Sequence, residues 1–213
     1  QKNFWLSKIS SGECIPAACF TEPNTGSDLG SITTKAKKEK NNYLISGNKT
    51  WITHGSRSNL LIILARTNND YKLKHKGLSI FLASKKEGSK NNLFPDQSIS
   101  GTEIKVLGYR GMKEYEIRLE NLEVKDNALL GEIENKGFSQ LMRTFESARI
   151  QTAARSIGVA QNALDLAMSY SSNRKQFDKP IINFQRVFNK LAIMIVEIVI
   201  GRQLTYFAAK NKD

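Results

Sequence analysis

A turn-rich octet, residues 21–28 (TEPNTGSD), gathers groups able to grip an anionic or planar ligand. Pro23 fixes one turn and Gly26 lets the backbone approach a bound molecule. The hydroxyls of Thr21, Thr25 and Ser27 join successive N–H groups as donors to anionic oxygens. The same octet also reads as a plain turn between two strands. Further on, Trp51-Ile52-Thr53 sets an aromatic ring two residues from a hydroxyl at a strand end. Trp51 is there either core or a wall beside a planar ligand. Residues 173–177 (NRKQF) form a basic stretch between two helical patterns, which taken alone is a solvated helix end.

Other chemistries find little support. The only cysteines, Cys14 and Cys19, are five apart on what reads as one strand, so they face opposite ways and read as small buried residues in a reducing compartment. His54 and His75 lie far apart with no accompanying ligand motif, so no metal site is expected. P-loop, G-x-G-x-x-G, H-E-x-x-H and G-x-S-x-G signatures are absent. The chain has 213 residues, 32 basic against 20 acidic, a net charge of +12. That excess favours phosphate-bearing partners, but it is spread over both halves without a basic tail or a recognised module, so nucleic acid is not expected. The run at residues 191–200 carries Glu197 and is too short to span a bilayer, so no membrane span is expected. Gln1 stands first with no leader after it, which reads as a segment of something longer.

The elements that must position these groups change character along the chain. Residues 33–40 and 43–53 alternate around a turn at Asn41-Asn42, which predicts a hairpin with Tyr43, Ile45 and Trp51 on one face. Residues 59–67 and 77–84 are short apolar runs, as in strands buried on both sides. Residues 115–124 alternate, and the polar residues 85–100 read as a surface loop. Beyond Gly131 the period becomes helical, with Phe138, Leu141, Phe145, Ile157, Leu164 and Met168 at three- and four-residue spacing over residues 137–171. Residues 172–183 break that helix, and residues 184–210 form a second one, apolar nearly all round, which needs neighbours beyond Asp213 or from another subunit.

Taken together, residues 21–28, WITHG at 51–55, GLSIFL at 77–82, LGYRG at 107–111, LLGEIENKGF at 129–138, Arg149 and NRKQFDKPIINFQ at 173–185 occur in an order that resembles the acyl-CoA dehydrogenases. These flavoproteins desaturate acyl-CoA thioesters. The resemblance implies an α+β fold: an antiparallel, β-barrel-like middle domain over residues 13–130, then the first two helices of a C-terminal four-helix bundle over residues 131–213. Residues 1–12 would end an N-terminal helical domain. It implies FAD as cofactor, with Cys19, Phe20, Thr21, Gly26, Ser27, Trp51, Ile52 and Thr53 lining it. Arg174, Phe177 and Gln185 would reach the FAD of a neighbouring subunit, and Ser27, Glu146 and Arg149 would line the acyl-CoA channel. The implied partners are an acyl-CoA, an electron-transfer flavoprotein as acceptor, and further copies in a homodimer or homotetramer. The implied location is the bacterial cytoplasm or the mitochondrial matrix.

The same resemblance locates no base here. Most members supply a Glu from a part of the bundle that would lie beyond Asp213, and a minority place it one residue before the position of Arg149, where this chain has Ala148. Glu146, two positions away, points roughly 200° from that site on a helix. Residues 111–116 (GMKEYE) depart from the family's small-hydroxyl pattern. With FESARIQTAAR and RQLTYFAA they look most like the branch that oxidises branched dicarboxylic acyl-CoAs such as methylsuccinyl-CoA. Lys113 or Arg110 could suit a carboxylate tail, or the segment is a surface loop. The alternative to an enzyme is a non-catalytic remnant that keeps flavin or CoA binding, or oligomer contacts, at most.

Overall fold

The computed structural model describes residues 1–108 and 111–212, so Arg110 of the anticipated pocket rim lies outside the described residues. Two compact units divide the chain, Gln1–Gln140 and Leu141–Asp213.

The first unit opens with helix α1 (Lys2–Ser10). Seven strands follow: β1 (Pro16–Cys19), β2 (Lys35–Glu39), β3 (Asn42–Thr53), β4 (Leu60–Arg66), β5 (Leu78–Ser84), β6 (Ile99–Ile104) and β7 (Glu114–Lys125). They form one curled sheet in the order β1-β4-β2-β3-β7-β6, with β5 paired to β4. The α+β class expected from the sequence is therefore present. The sheet is mixed, because β1 and β2 each run parallel to β4 while the other pairings are antiparallel.

Burial explains the strand sequences. β4 and β5 read as unbroken apolar runs because both faces are covered, and Leu61, Ile63, Leu64, Ala65 and Phe81 are fully buried. Together with Ala17, Tyr43, Ile45, Tyr115, Ile117 and Leu119 most of them form one apolar core. β7 buries Tyr115, Ile117 and Leu119, then changes phase to Leu122 and Val124. The phase slips because Glu120 and Asn121 together oppose Ser46 of β3, with Asn121 in the left-handed region at φ 49°.

Two local expectations are corrected. The hairpin turn is Lys40-Asn41 rather than Asn41-Asn42: Lys40 takes φ 55°, and Asn42 already pairs with Glu39. Residues 85–100 are not merely a surface loop. Lys85 is buried, its ammonium donating to the carbonyls of Ser56, Ser58 and Lys86 at 2.6, 2.8 and 2.7 Å, while Leu93 and Phe94 pack on the core. β6 then follows, its polar sequence masking a strand whose partner β7 supplies the apolar side.

Helix α2 (Gly137–Asn173), whose first four residues belong to the first unit, leads in the second through a two-residue-strand hairpin, β8 (Lys175–Gln176) and β9 (Lys179–Pro180), to helix α3 (Gln185–Lys210). Leu164, Leu191 and Ile198 are buried against Ile157, Ala160, Met168, Val187 and Met194. The buried positions of α3, Leu191, Ile198 and Thr205, recur every seven residues, marking a narrow seam. Outside that seam Phe188, Val196, Ile200 and Phe207 are exposed. The ten-residue run at 191–200 understates this helix: taken whole, α3 is long and apolar enough, by length and composition, to cross a bilayer.

Gly137, at the start of α2, abuts β5 so closely that an added Cβ would lie 2.6 Å from the Ser79 carbonyl carbon. Backbone cannot retreat as a side chain can. Gly137→Ala is therefore expected to destabilise the fold by about 1–3 kcal/mol, read as a lower Tm in thermal unfolding.

Candidate cofactor and substrate sites

The octet is a tight loop clamped at its base. The Glu22 N–H donates to the Thr25 carbonyl at 2.9 Å and the Thr25 N–H to the Glu22 carbonyl at 3.0 Å, closing the Pro23-Asn24 turn. The Glu22 side chain turns inward. Its carboxylate accepts the Thr33 N–H at 2.7 Å, the Thr33 hydroxyl at 2.8 Å, the Thr34 N–H at 2.8 Å and the Lys49 ammonium at 3.1 Å. Lys49, fully buried, also donates to the Phe20 carbonyl at 3.1 Å. One residue on, the Thr50 N–H donates to the Thr21 carbonyl at 3.0 Å. A buried ion pair and two backbone contacts thus fasten the octet to β3 beside Trp51.

The charges of this pair are set by their surroundings. Burial pushes the Glu22 carboxyl up, but the Lys49 charge and hydrogen bonds from Thr33 and Thr34 outweigh it and hold the group at about 2. Burial lowers Lys49, and the facing Glu22 opposes that shift. The sequence carried a signal for this pair: Lys49 has the same parity as Tyr43 and Ile45, the inward positions of β3, and an inward lysine needs an anion.

β3 then breaks its alternation. Thr50 and Trp51 together oppose Glu116, between the pairs Lys49–Ile117 and Ile52–Tyr115. Trp51 takes φ 58° and is 57% exposed. The core reading of Trp51, and its placement on one face with Tyr43 and Ile45, are both corrected by this bulge, which turns the ring outward. Ile52 returns to the core, and Thr53 pairs with Glu114, its hydroxyl donating to both carboxylate oxygens at 2.8 and 3.0 Å. Sequence reasoning did not nominate Lys49, Glu22 or Glu114.

The remaining nominated positions divide clearly. Cys19 and Ile52 point their side chains into the core, so what they can offer a ligand is backbone. Burial pushes the Cys19 thiol up to about 12, which leaves it unreactive. Cys14 precedes β1 rather than sharing its strand; it too is free and buried. Phe20 and Thr21 are half-buried, and Gly26 and Ser27 are exposed. Within the first unit, the octet and the outward Trp51 therefore lie side by side, offering hydroxyls, backbone and an indole face.

The second unit presents its own set. Glu146 and Arg149 are exposed one turn apart on α2. Arg174 ends that helix, its N–H donating to the Tyr170 carbonyl at 2.8 Å and its carbonyl accepting the Ile181 N–H at 2.8 Å, which leaves the guanidinium exposed. The β8–β9 turn carries Phe177 and Asp178 at φ 51° and 61°, conformations a two-residue hairpin loop normally reserves for Asn or Gly. Phe177 is 86% exposed and meets Phe184 edge-on at 6.2 Å. Gln185, the first residue of α3, is exposed beside it in sequence. Among the described residues no group of three or more His, Cys, Asp or Glu side chains could hold a metal.

The clamp makes a stability prediction. Lys49→Met should cost about 3 kcal/mol in equilibrium unfolding, because it leaves a buried carboxylate without its counter-charge, and adding Glu22→Gln should recover part of that loss. Since Glu22 lies below its unfolded value, its contribution is complete above about pH 4.5 and disappears as pH falls toward about 2. Acid unfolding across that window should be steeper in the unsubstituted protein than in the double variant.

Residues 17–122 match the description "Acyl-CoA dehydrogenase, middle domain" and residues 135–213 match "Acyl-CoA dehydrogenase, C-terminal domain". The chain is 56% identical over its whole length to (2S)-methylsuccinyl-CoA dehydrogenase of Cereibacter sphaeroides, of which it covers 39%. It is 33% identical to the human short-chain specific acyl-CoA dehydrogenase, mitochondrial, covering 49% of that protein. Butyryl-CoA dehydrogenase from Megasphaera elsdenii superposes with a TM-score of 0.88 at 30% identity, over 99% of this chain and 52% of the other. The chain thus spans between about two fifths and half the length of these relatives. With both units matched in order by the same family, the chain belongs to the acyl-CoA dehydrogenases.

Proposed function

We propose that this chain supplies the flavin-lining and CoA-contacting part of an FAD-dependent acyl-CoA dehydrogenase that forms a trans-2-enoyl-CoA. The single observation that carries the reading is Trp51, held outward on a left-handed bulge next to Thr53 and clamped against the octet. A tryptophan has little reason to be exposed in a strained conformation unless its face is used. The polar set fits a flavin nucleotide: an aromatic wall, the Thr21 hydroxyl and the Thr53 hydroxyl oxygen for polar ring edges, and Gly26-Ser27 for phosphate oxygens. FAD, when bound, supplies the acceptor for the hydride that leaves the substrate's β-carbon.

The protein's own task is alignment. Trp51 covers a ring face, and Cys19, Phe20 and Ile52 add backbone beside it. Ser27, Glu146 and Arg149 hold the acyl-CoA. Arg174, Phe177 and Gln185 reach the cofactor of another protomer, Arg174 neutralising diphosphate charge. Their exposure, and the left-handed Phe177, support a role against a neighbouring chain in a homo-oligomer. The exposed apolar sides of α3 fit burial within a completed bundle. The α-proton leaves to a base that our reading places outside residues 1–213. The electrons pass on to an electron-transfer flavoprotein.

The substrate we favour is a branched dicarboxylic acyl-CoA. The 56% identity to (2S)-methylsuccinyl-CoA dehydrogenase supports it, as does the 111–116 segment. Lys113 is an unpromising carboxylate receptor, because its ammonium already meets Glu103 at 2.6 Å.

The test uses the whole protein that carries this chain. Purified with FAD, it should show flavin absorbance that bleaches anaerobically on adding methylsuccinyl-CoA, and much less with butyryl-CoA. Protein that retains no FAD on reconstitution would overturn the reading, and equal bleaching by both substrates would overturn the substrate class alone. Trp51→Ala is expected to weaken FAD binding by about tenfold, the size of a lost aromatic contact, measured by equilibrium dialysis.

A further inference from the structure

We propose that Glu114 is a positioning residue that locks the Thr53 hydroxyl as a hydrogen-bond acceptor toward the flavin edge. The inference rests on the reading above that Thr53 flanks the ring. Its own observation is separate: the Thr53 oxygen lies 2.8 and 3.0 Å from the two oxygens of Glu114, across a register pair of β3 and β7. A carboxylate only accepts, so the hydroxyl must donate. A threonine hydroxyl has one proton and two lone pairs, and with the proton committed only lone pairs remain for anything on its other side. Among the described residues, neighbouring charge does not compete for this carboxylate. Lys113, the adjacent cation, pairs with Glu103, and no salt bridge to Glu114 forms among the described residues.

The consequence follows from flavin chemistry. The central nitrogen at the reactive edge accepts hydrogen bonds when the ring is oxidised and carries an N–H once it is reduced. A hydroxyl held as acceptor has nothing to give the oxidised ring and can accept from the reduced one. Glu114, acting through Thr53, thereby favours the state in which the hydride has arrived. Its negative charge acts in the opposite sense, since a nearby anion opposes added electrons. The two roles can be separated by sign.

The experiment equilibrates the FAD-loaded whole protein with a redox dye at fixed potential and reads the reduced-to-oxidised flavin ratio from the visible spectrum. Glu114→Val frees the hydroxyl to donate to the oxidised ring, so the ratio should fall by about tenfold, equivalent to about 30 mV for a two-electron couple. Glu114→Gln keeps an acceptor carbonyl while removing the charge, so its ratio should not fall. In a Thr53→Val background, Glu114→Val should no longer lower the ratio. A ratio that rises in both Glu114 variants would assign Glu114 a charge effect and overturn the proposal. So would a fall that persists without the Thr53 hydroxyl, or no change with Glu114→Val while Thr53→Val alone shifts the ratio. If Thr53→Val leaves spectrum and ratio unchanged, the placement of Thr53 at the ring fails as well, which is a different result. Should the valine variant not fold, Glu114→Ala makes the same cut.

Discussion

Lys49 and Glu22 sit out of reach of water, and taking either charge there alone would cost several kcal/mol. The pair is tolerable only because the carboxylate is saturated by four donors and the ammonium has a second acceptor in the Phe20 carbonyl. A network of this kind adds little net stability over an apolar equivalent, but it strongly penalises every arrangement in which its members separate. Its members come from three places in the chain: the octet, the residues leading into β2, and β3. Holding them together fixes where the octet leaves the sheet. The loop that offers Thr21, Gly26 and Ser27 therefore has little freedom of its own.

Backbone irregularity completes what the ion pair begins. A strand that kept its period would bury Trp51, because Lys49 and Trp51 share parity. The extra residue at Thr50-Trp51 breaks that parity immediately after the anchored lysine, where the strand cannot slide to absorb it. The left-handed conformation at Trp51 costs of order 1 kcal/mol and is kept because the surroundings over-determine it. The β8–β9 turn uses a related device, spending two left-handed non-glycine residues to carry Phe177 outward. Trp51 and Phe177 are thus both exposed aromatics carried on left-handed backbone.

What the sequence made legible was whatever obeys one period at a time. The apolar runs of β4 and β5 and the helical spacing of α2 and α3 appeared with boundaries a residue or two from those observed, and the octet stood out through its turn residues. The features that remained hidden involve a change of period or a long-range partner. Trp51 was placed with Tyr43 and Ile45 because a bulge is silent in parity. The β6 sequence has apolar residues only at its ends, and its partner supplies the apolar surface. Lys85 looks like one more loop lysine until the carbonyls of Ser56 and Ser58, nearly thirty residues earlier, are found on its ammonium. Glu22 was inside a nominated motif and was still missed, because its partner is twenty-seven residues away.

One insertion has two effects on the site. From Gly47 to Lys49, after the slip at Glu120-Asn121, the β3–β7 register pairs residues whose numbers add to one constant, Asn48 with Arg118 and Lys49 with Ile117. Continued without interruption, that register would set Thr53 opposite Lys113. The bulge advances β3 by one, so Thr53 meets Glu114 instead. A lysine opposite would donate to the hydroxyl oxygen and leave its proton free to point elsewhere; a carboxylate takes the proton and leaves the lone pairs. The residue that turns the indole outward thus also decides which way the neighbouring hydroxyl faces. Two properties of the proposed ring contact, its wall and its polarity, thus depend on the extra residue beside a buried lysine, which restores the register that β7 had shifted.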